Sequence, residues 1–227
     1  MNHSAAPSAS GDRIAQIRAS IPSSVRLIAV TKGFPAAAIR TAYAAGIRDF
    51  GENRIQEALD KQAELQDLSD ITWHLIGHLQ SNKATKAVES FDWIHSVDSL
   101  KLAERLDRLA AEQGRSPKVC LQVKLRPDPS KYGWSAETLL QDLPILNQLQ
   151  HLKICGLMAI PPLNLDDAET LMVFQDTYQL GQSINQLNLN NLQIQELSMG
   201  MSADYPLAIQ AGSTMIRLGR LLFGERT

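Results

Sequence analysis

Eight short apolar runs recur along the chain, at 25–32, 46–50, 71–76, 92–97, 118–125, 152–160, 192–198 and 213–219, with helical patterns between them. Within each run the apolar residues are nearly continuous rather than alternating, the pattern of strands covered on both faces. Parallel strands joined by helical crossovers have that property. Eight βα units in roughly 200 residues match a single (β/α)8 TIM barrel near its compact limit. A doubly wound open sheet shares the periodicity and is the competing architecture, because closure leaves no mark on the pattern. No internal sequence repeat accompanies the βα spacing.

The crossovers carry their own punctuation. "PAAAIRTAYAAG" (35–46) sets Pro35 at a first helical position and Gly46 at the stop. "NRIQEALDKQAELQ" (53–66) places Glu57 four residues before Lys61 on one face. Between a Ser99 or Asp98 cap and Gly114, one stripe holds Leu102, Ala103, Leu106, Leu109 and Ala110. The segments 81–90, 136–150, 166–188 and 203–211 also read as helical, and Pro144 is expected to kink or split its helix. An extra N-terminal helix at 11–20 precedes the first strand and either plugs or flanks the lower end of the barrel. Residues 1–10, small and polar, are expected to form a disordered tail, leaving 11–227 as one domain.

Composition matters here for what it excludes. Lys and Arg number 22 against 24 Asp and Glu, so no basic field invites nucleic acid. No apolar run approaches bilayer length, and the N-terminus lacks the apolar stretch of a signal peptide. Cys120 and Cys155 lie inside strand-like runs without metal-type spacing and read as reduced core thiols. The expectation is a soluble, cytoplasmic protein without a membrane or nucleic-acid partner.

In a barrel the chemistry belongs to the loops leaving the C-terminal ends of the strands. Polar residues there are Lys32 after strand 1, Asn53 in "FGEN" after strand 2, and Ser81, Asn82 and Lys83 after strand 3. His95 and Asp98 follow from "HSVDS". Lys32 has two readings. Its stem covers the rim while its head stays wet, or apolar walls lower its pKa and make the amine a nucleophile for a carbonyl. His74 is equally a hydrogen-bonded core histidine or a functional one, and neither His78 nor His95 has metal-ligand spacing with it. "SNK" reads as a helix cap with a solvated lysine in preference to a distant anion contact, "DPSKYGW" (128–134) as a loop, and Trp73 and Trp93 as packing residues.

The last two strand ends alter the balance. "SMGMSADYPLAI" runs from a strand end through Gly200 to Ser202 at an expected helix N-cap, where backbone N–H groups and a positive dipole end favour an anion. "STMIRLGR" follows, with Arg217 and Gly219 at its exit, and barrels often hold phosphate with the loops after strands 7 and 8. A reactive lysine and a phosphate cradle at one rim call for a ligand with both an aldehyde and a phosphate. Pyridoxal 5′-phosphate has both.

The segments "AVTK", "FGENRIQE", "WHLIGHLQSNK", "HSVDS", "GLMAIP", "LSMGMSADYPLAI" and "GSTMIRLGRLLFG" occur in order from residue 13 or so to the C-terminus. In them the chain closely resembles the pyridoxal-phosphate-binding homeostasis family, whose members look like the barrel domain of alanine racemase standing alone. The resemblance implies that Lys32 forms a reversible Schiff base with the cofactor. It implies that Gly200, Ser202, Arg217 and Gly219 hold the phosphate and that Asn53 lies near the phenolic oxygen. His74 and Met158 would line the cofactor, with Ser198 and Met199 bordering it, and Lys131 and Gly133 match a similar pair in the family. In the racemase-like fold an arginine faces the pyridine nitrogen and keeps the ring a poor electron sink. Arg217 has both roles open to it, ring nitrogen or phosphate.

The function implied is vitamin B6 homeostasis: a monomer that buffers pyridoxal phosphate or delivers it, with apo-enzymes as the expected recipients and indirect effects on amino-acid and keto-acid metabolism. It would not be an enzyme. The alternative is a pyridoxal-phosphate enzyme such as an amino-acid racemase, which needs an acid or base on each face of the cofactor. In the racemases the opposing tyrosine comes from a second domain, which is not expected in a sequence running eight residues past strand 8 (219 to 227). A Schiff-base aldolase using Lys32 directly and a cofactor-loaded sensor are the further readings.

Overall fold

The computed structural model describes residues 9–129 and 131–225. Its strands are β1 (Arg26–Val30), β2 (Asp49–Glu52), β3 (Thr72–Leu75), β4 (Trp93–Val97), β5 (Lys118–Val123), β6 (Lys153–Ala159), β7 (Leu192–Ser198) and β8 (Met215–Leu218). They pair in chain order, all parallel, and close into a barrel. The closing seam is β1 against β8, with Ile28 beside Arg217 and Ala29 beside Leu218. That seam selects the barrel over the open sheet.

Helices α1 (Ala9–Ser20), α2 (Ala36–Ala44), α3 (Ile55–Glu64), α4 (Ala84–Ser90), α5 (Leu100–Gln113), α6 (Ala136–Leu146), α7 (Asp167–Gln186), α8 (Tyr205–Gln210) and α9 (Arg220–Phe223) form the outer layer. The stripe expected on α5 is buried, and Gly114 ends that helix at φ +60°, a left-handed turn that favours glycine. Asp166 and Glu169 close a capping box on α7. Pro35 stands one position earlier than expected: it is the extended N-cap of α2. Pro144 does not split α6, because it falls in the last turn, near where the helix ends in any case. Ser81 is no cap either. Residues Ser81–Lys83 make a 3₁₀ turn without a side-chain capping bond, and Lys83 is exposed.

Two apolar regions stabilise the barrel. The larger lies between sheet and helices; the smaller fills the barrel itself with Ile28, Trp93, Cys120, Met158 and Met215. At about 25 cal/mol per Å² of apolar area, each large buried side chain contributes ~1.5–3 kcal/mol. Helix α1 starts at Ala9, two residues before the expected domain bound, and residues 1–8 of the expected tail lie outside the described residues. Through Ile14 and Ile17 it packs beside α2 and α9. It flanks the barrel wall, and among the described residues it does not cross the lower mouth.

Candidate functional site

Lys32 lies two residues past the end of β1, half-buried in the turn that leads to α2. A buried cluster fixes that turn. The Lys61 ammonium donates to the Thr31 carbonyl at 2.8 Å, to Glu52 Oε1 at 2.7 Å and to Glu57 Oε1 at 2.7 Å. Thr31 Oγ1 donates to Glu52 at 2.6 Å, and the Gly33 amide donates to Glu57. Residues 31 and 33 are thus clamped on either side of Lys32. Burial raises the Glu52 pKa against the pull of Lys61 and Thr31, and Glu52 Oε2 has no partner. Burial also works on Glu57, but hydrogen bonds from Lys61 and the Gly33 amide outweigh it and lower that carboxyl.

Asn53 follows β2 at the same rim, half-buried. The chain leaving β3 presses against it: a Cβ on Gly77 would sit 2.3 Å from the Asn53 carbonyl oxygen. Across the rim, the His78 ring stacks on Tyr132 with centroids 3.8 Å apart and pairs with Asp98 at 3.1 Å. These contacts tie together the loops after β3, β4 and β5. In the last of them Gly133 has φ +123°, and a Cβ there would lie 2.7 Å from the Gln122 carbonyl.

The loops after β7 and β8 meet beside Lys32. Gly200 turns at φ +89°, and its Cβ would strike the Ala208 Cβ at 2.6 Å. Its carbonyl accepts from the Arg217 amide at 3.0 Å. Ser202 Oγ accepts from the Leu221 amide at 3.5 Å, linking the two loops. Ser202 is not the N-cap expected of it. Pro206 sets the start of α8, so the cap is Asp204, whose carboxylate accepts from the Met201 amide at 2.6 Å. Gly219 caps α9 and approaches the Val30 carbonyl at the end of β1.

Arg217 is the centre of the barrel's polar interior, 4% exposed. Its Nη1 donates to Ser198 at both the carbonyl and Oγ, and its Nη2 donates to the Ala159 carbonyl at 3.1 Å. Burial lowers its pKa to about 10, opposed by Asp204, so it remains charged near neutrality. These donors are committed to β6 and β7 inside the barrel. From Ser198 a hydrogen-bonded chain runs down the interior. Ser198 Oγ lies 2.8 Å from His95 Nδ1, His95 Nε2 lies 2.9 Å from His74 Nδ1, and His74 Nε2 lies 3.0 Å from Asp49 Oδ1.

The chain has a direction. Arg217 can only donate and the Asp49 carboxylate can only accept, so Ser198 donates to His95, His95 to His74, and His74 to Asp49. Each imidazole then carries its proton on Nε2 and none on Nδ1. Burial agrees, lowering His74 despite Asp49 and lowering His95 far below the ordinary value with help from His74 and Arg217. Both rings are neutral.

Of the ten expected cofactor residues, Lys32, Asn53, Gly200, Ser202 and Gly219 stand at the rim. Ser198 and Arg217 lie just beneath, and Met158, 1% exposed, pairs with Ser198 across β6 and β7. Two differ from expectation. His74 sits mid-barrel, separated from Arg217 by His95 and Ser198, so it acts through others and does not line the mouth. The Met199 side chain packs in the outer core with Ala208, because successive strand residues face opposite ways, and only its backbone borders the rim. Asp49, Glu52, Lys61 and His95 were not singled out for these roles. The one available signal was a carboxylate, Glu52, embedded in an otherwise apolar strand end. Among the described residues no group of three or more His, Cys, Asp or Glu is placed to hold a metal, and no helix is long and apolar enough to cross a membrane.

The closed parallel barrel agrees with the comparison of the sequence to known families: the pattern of the alanine racemase N-terminal domain fits residues 8–227. The chain belongs to that family, and within it to the pyridoxal phosphate homeostasis proteins. A protein of that name from Synechocystis sp. is 55% identical over 211 residues, covering 93% of this chain and 96% of the relative. Another, from Pseudomonas aeruginosa, is 46% identical, covering 90% and 86%. The structure of PipY from Synechococcus elongatus with PLP bound superposes at a TM-score of 0.90, with 59% identity over 95% of this chain and 100% of that one. Alanine racemase from Clostridium difficile shares the fold at 14% identity and a TM-score of 0.75.

Proposed function

We propose that this chain, as one barrel domain over residues 11–227, binds pyridoxal 5′-phosphate reversibly in the cytoplasm and serves vitamin B6 homeostasis as a monomer, not as a catalyst. The observation that carries the reading is the meeting, at one rim, of a clamped Lys32 turn, two glycine-bearing loops and a buried, oriented arginine. The donor set fits the ligand. Lys32 would offer an amine to an aldehyde, backbone N–H groups of the loops at 200–202 and 219–221 would serve a phosphate, and the Arg217 guanidinium would serve the ring.

Lys32 would supply the amine that holds the aldehyde reversibly, Ser202, Gly200 and Gly219 would hold the phosphate, and Asn53 would lie on the phenolic side. The fixed charge of Arg217 disfavours protonation of the pyridine nitrogen and so weakens the ring as an electron sink. Tyr205, the tyrosine nearest the cradle, packs into the outer apolar cluster, which supports holding over racemisation. Delivery to apo-enzymes belongs to the same proposal.

The test is spectroscopic and chemical. Protein incubated with pyridoxal phosphate turns yellow, and borohydride fixes the added mass on Lys32. The variant Lys32→Ala stays colourless and binds weakly through the phosphate. A colourless wild-type protein refutes the reading, and stereoselective exchange of amino-acid α-protons at enzymic rates refutes the non-catalytic part.

A further inference from the structure

The opposite end of the barrel holds a cavity of about 490 Å³, within the size range of small-molecule sites. Its wall includes the first residues of six consecutive strands, Arg26, Asp49, Thr72, Trp93, Lys118 and Lys153, with Arg115 just before β5. Four cations, Arg26, Arg115, Lys118 and Lys153, face two carboxylates, Asp49 and Asp92. Both carboxylates are engaged: Asp92 accepts from the Trp73 amide at 2.8 Å and Asp49 from His74.

The cations are not matched in the same way. Lys118 and Lys153 are direct register partners on β5 and β6, two like charges side by side on an exposed rim, an arrangement that costs stability. Among the described residues neither pairs with a carboxylate; Lys118 instead lies 5.1 Å from the Trp93 ring centroid. Arg26 is shared loosely between Asp49 at 3.8 Å and Glu196 at 3.5 Å.

The geometry points to a binding site for a small polyanion, a phosphorylated or polycarboxylic metabolite, at this N-terminal mouth, with its occupancy relayed to Arg217 along the chain from Asp49. Such an anion bridges Lys118 and Lys153 and removes their repulsion. It also draws Arg26 away from Asp49, leaving that carboxylate a stronger acceptor for the His74 Nε2 proton. Each bond of a polarised chain strengthens the next. The change therefore reaches His95, Ser198 and the guanidinium. The site itself is independent of the cofactor proposal; its consequence for cofactor binding rests on it.

The experiment titrates pyrophosphate and, separately, citrate into uniformly ¹⁵N-labelled protein, both untreated and with its lysine site blocked by borohydride-fixed pyridoxal phosphate. Backbone signals at Lys118 and Lys153 and the Nε2 protons of His74 and His95 are followed together. Saturable shifts at the rim in both samples, weakened at least tenfold in Lys118→Gln/Lys153→Gln, support the site, and the stronger probe names the ligand chemistry. No saturation at millimolar probe overturns it. Nε2 shifts that track the rim support the relay, and rim binding with unmoved His74 and His95 signals overturns that half. If pyridoxal phosphate fails to bind at all, the untreated sample still decides the site.

Discussion

Replacing Lys61 with methionine removes the cation that holds the Lys32 turn together while keeping most of the buried volume. In the native protein Lys61 is 7% exposed at its side chain and Glu52 is fully buried. The substitution deletes three hydrogen bonds, to Thr31, Glu52 and Glu57, and leaves the Glu52 charge with only the Thr31 hydroxyl. Breaking a buried pair from one side costs about 3–5 kcal/mol, since the remaining charge stays desolvated. For a chain of this length that is a drop in Tm on the order of 10 °C.

The loss depends on pH in a definite direction. Glu52 already titrates above its ordinary value of 4.5 in the folded protein, so the native state binds more protons than the unfolded one in the window just above that value. Its contribution is unfavourable at neutral pH and is relieved as pH falls toward the unfolded value. Without Lys61 the shift grows, so the Lys61→Met penalty is larger near neutrality than near pH 5. Urea unfolding at both pH values measures it through the midpoint at constant m. Adding Glu52→Gln to Lys61→Met recovers most of the loss. A penalty below about 1 kcal/mol, equal losses at both pH values, or a double variant as unstable as the sum of the singles would refute the reasoning.

Three further outcomes follow from the same coordinates. Gly200→Ala forces a side chain into φ +89° and against Ala208, so stability falls by roughly 1–3 kcal/mol and pyridoxal phosphate affinity falls with it, read by urea unfolding and by absorbance titration. Burial drives the Cys120 thiol well above its usual pKa and pushes Cys155 up to about 11, so a thiol reagent at about pH 8 labels the native protein slowly and the urea-unfolded protein fast. Asp49→Asn offers His74 an amide in place of a carboxylate, and the His74 Nε2 proton moves upfield in the ¹⁵N-correlated spectrum; an unchanged signal contradicts the direction assigned to the chain.

The barrel was legible because its strands are buried on both faces and its helices punctuate them, a local signal repeated eight times. Lys32 and the Gly200 and Gly219 loops were legible because position at a strand end already carries chemical meaning. The interior chain was not. Asp49 and His74 are 25 residues apart, and His95 and Ser198 are 103 apart, so only closure of the sheet brings them into reach. Asp49 alone looks like an ordinary acid before a strand. The facing of Met199 was missed by one residue of strand alternation, and the capping assigned to Ser202 was lost to Pro206, which fixes where α8 begins. Both errors come from backbone geometry that a residue type does not encode.

With α1 along the wall, the N-terminal vestibule is separated from the Lys32 rim by a septum. The septum is the layer of Trp93, His74, His95, Cys120 and Met158, all at most 2% exposed. Among the described residues the hydrogen-bonded chain from Asp49 to Arg217 threads this layer. On the relay proposed above, a molecule bound at the N-terminal mouth would be felt electrically at Arg217 without touching it.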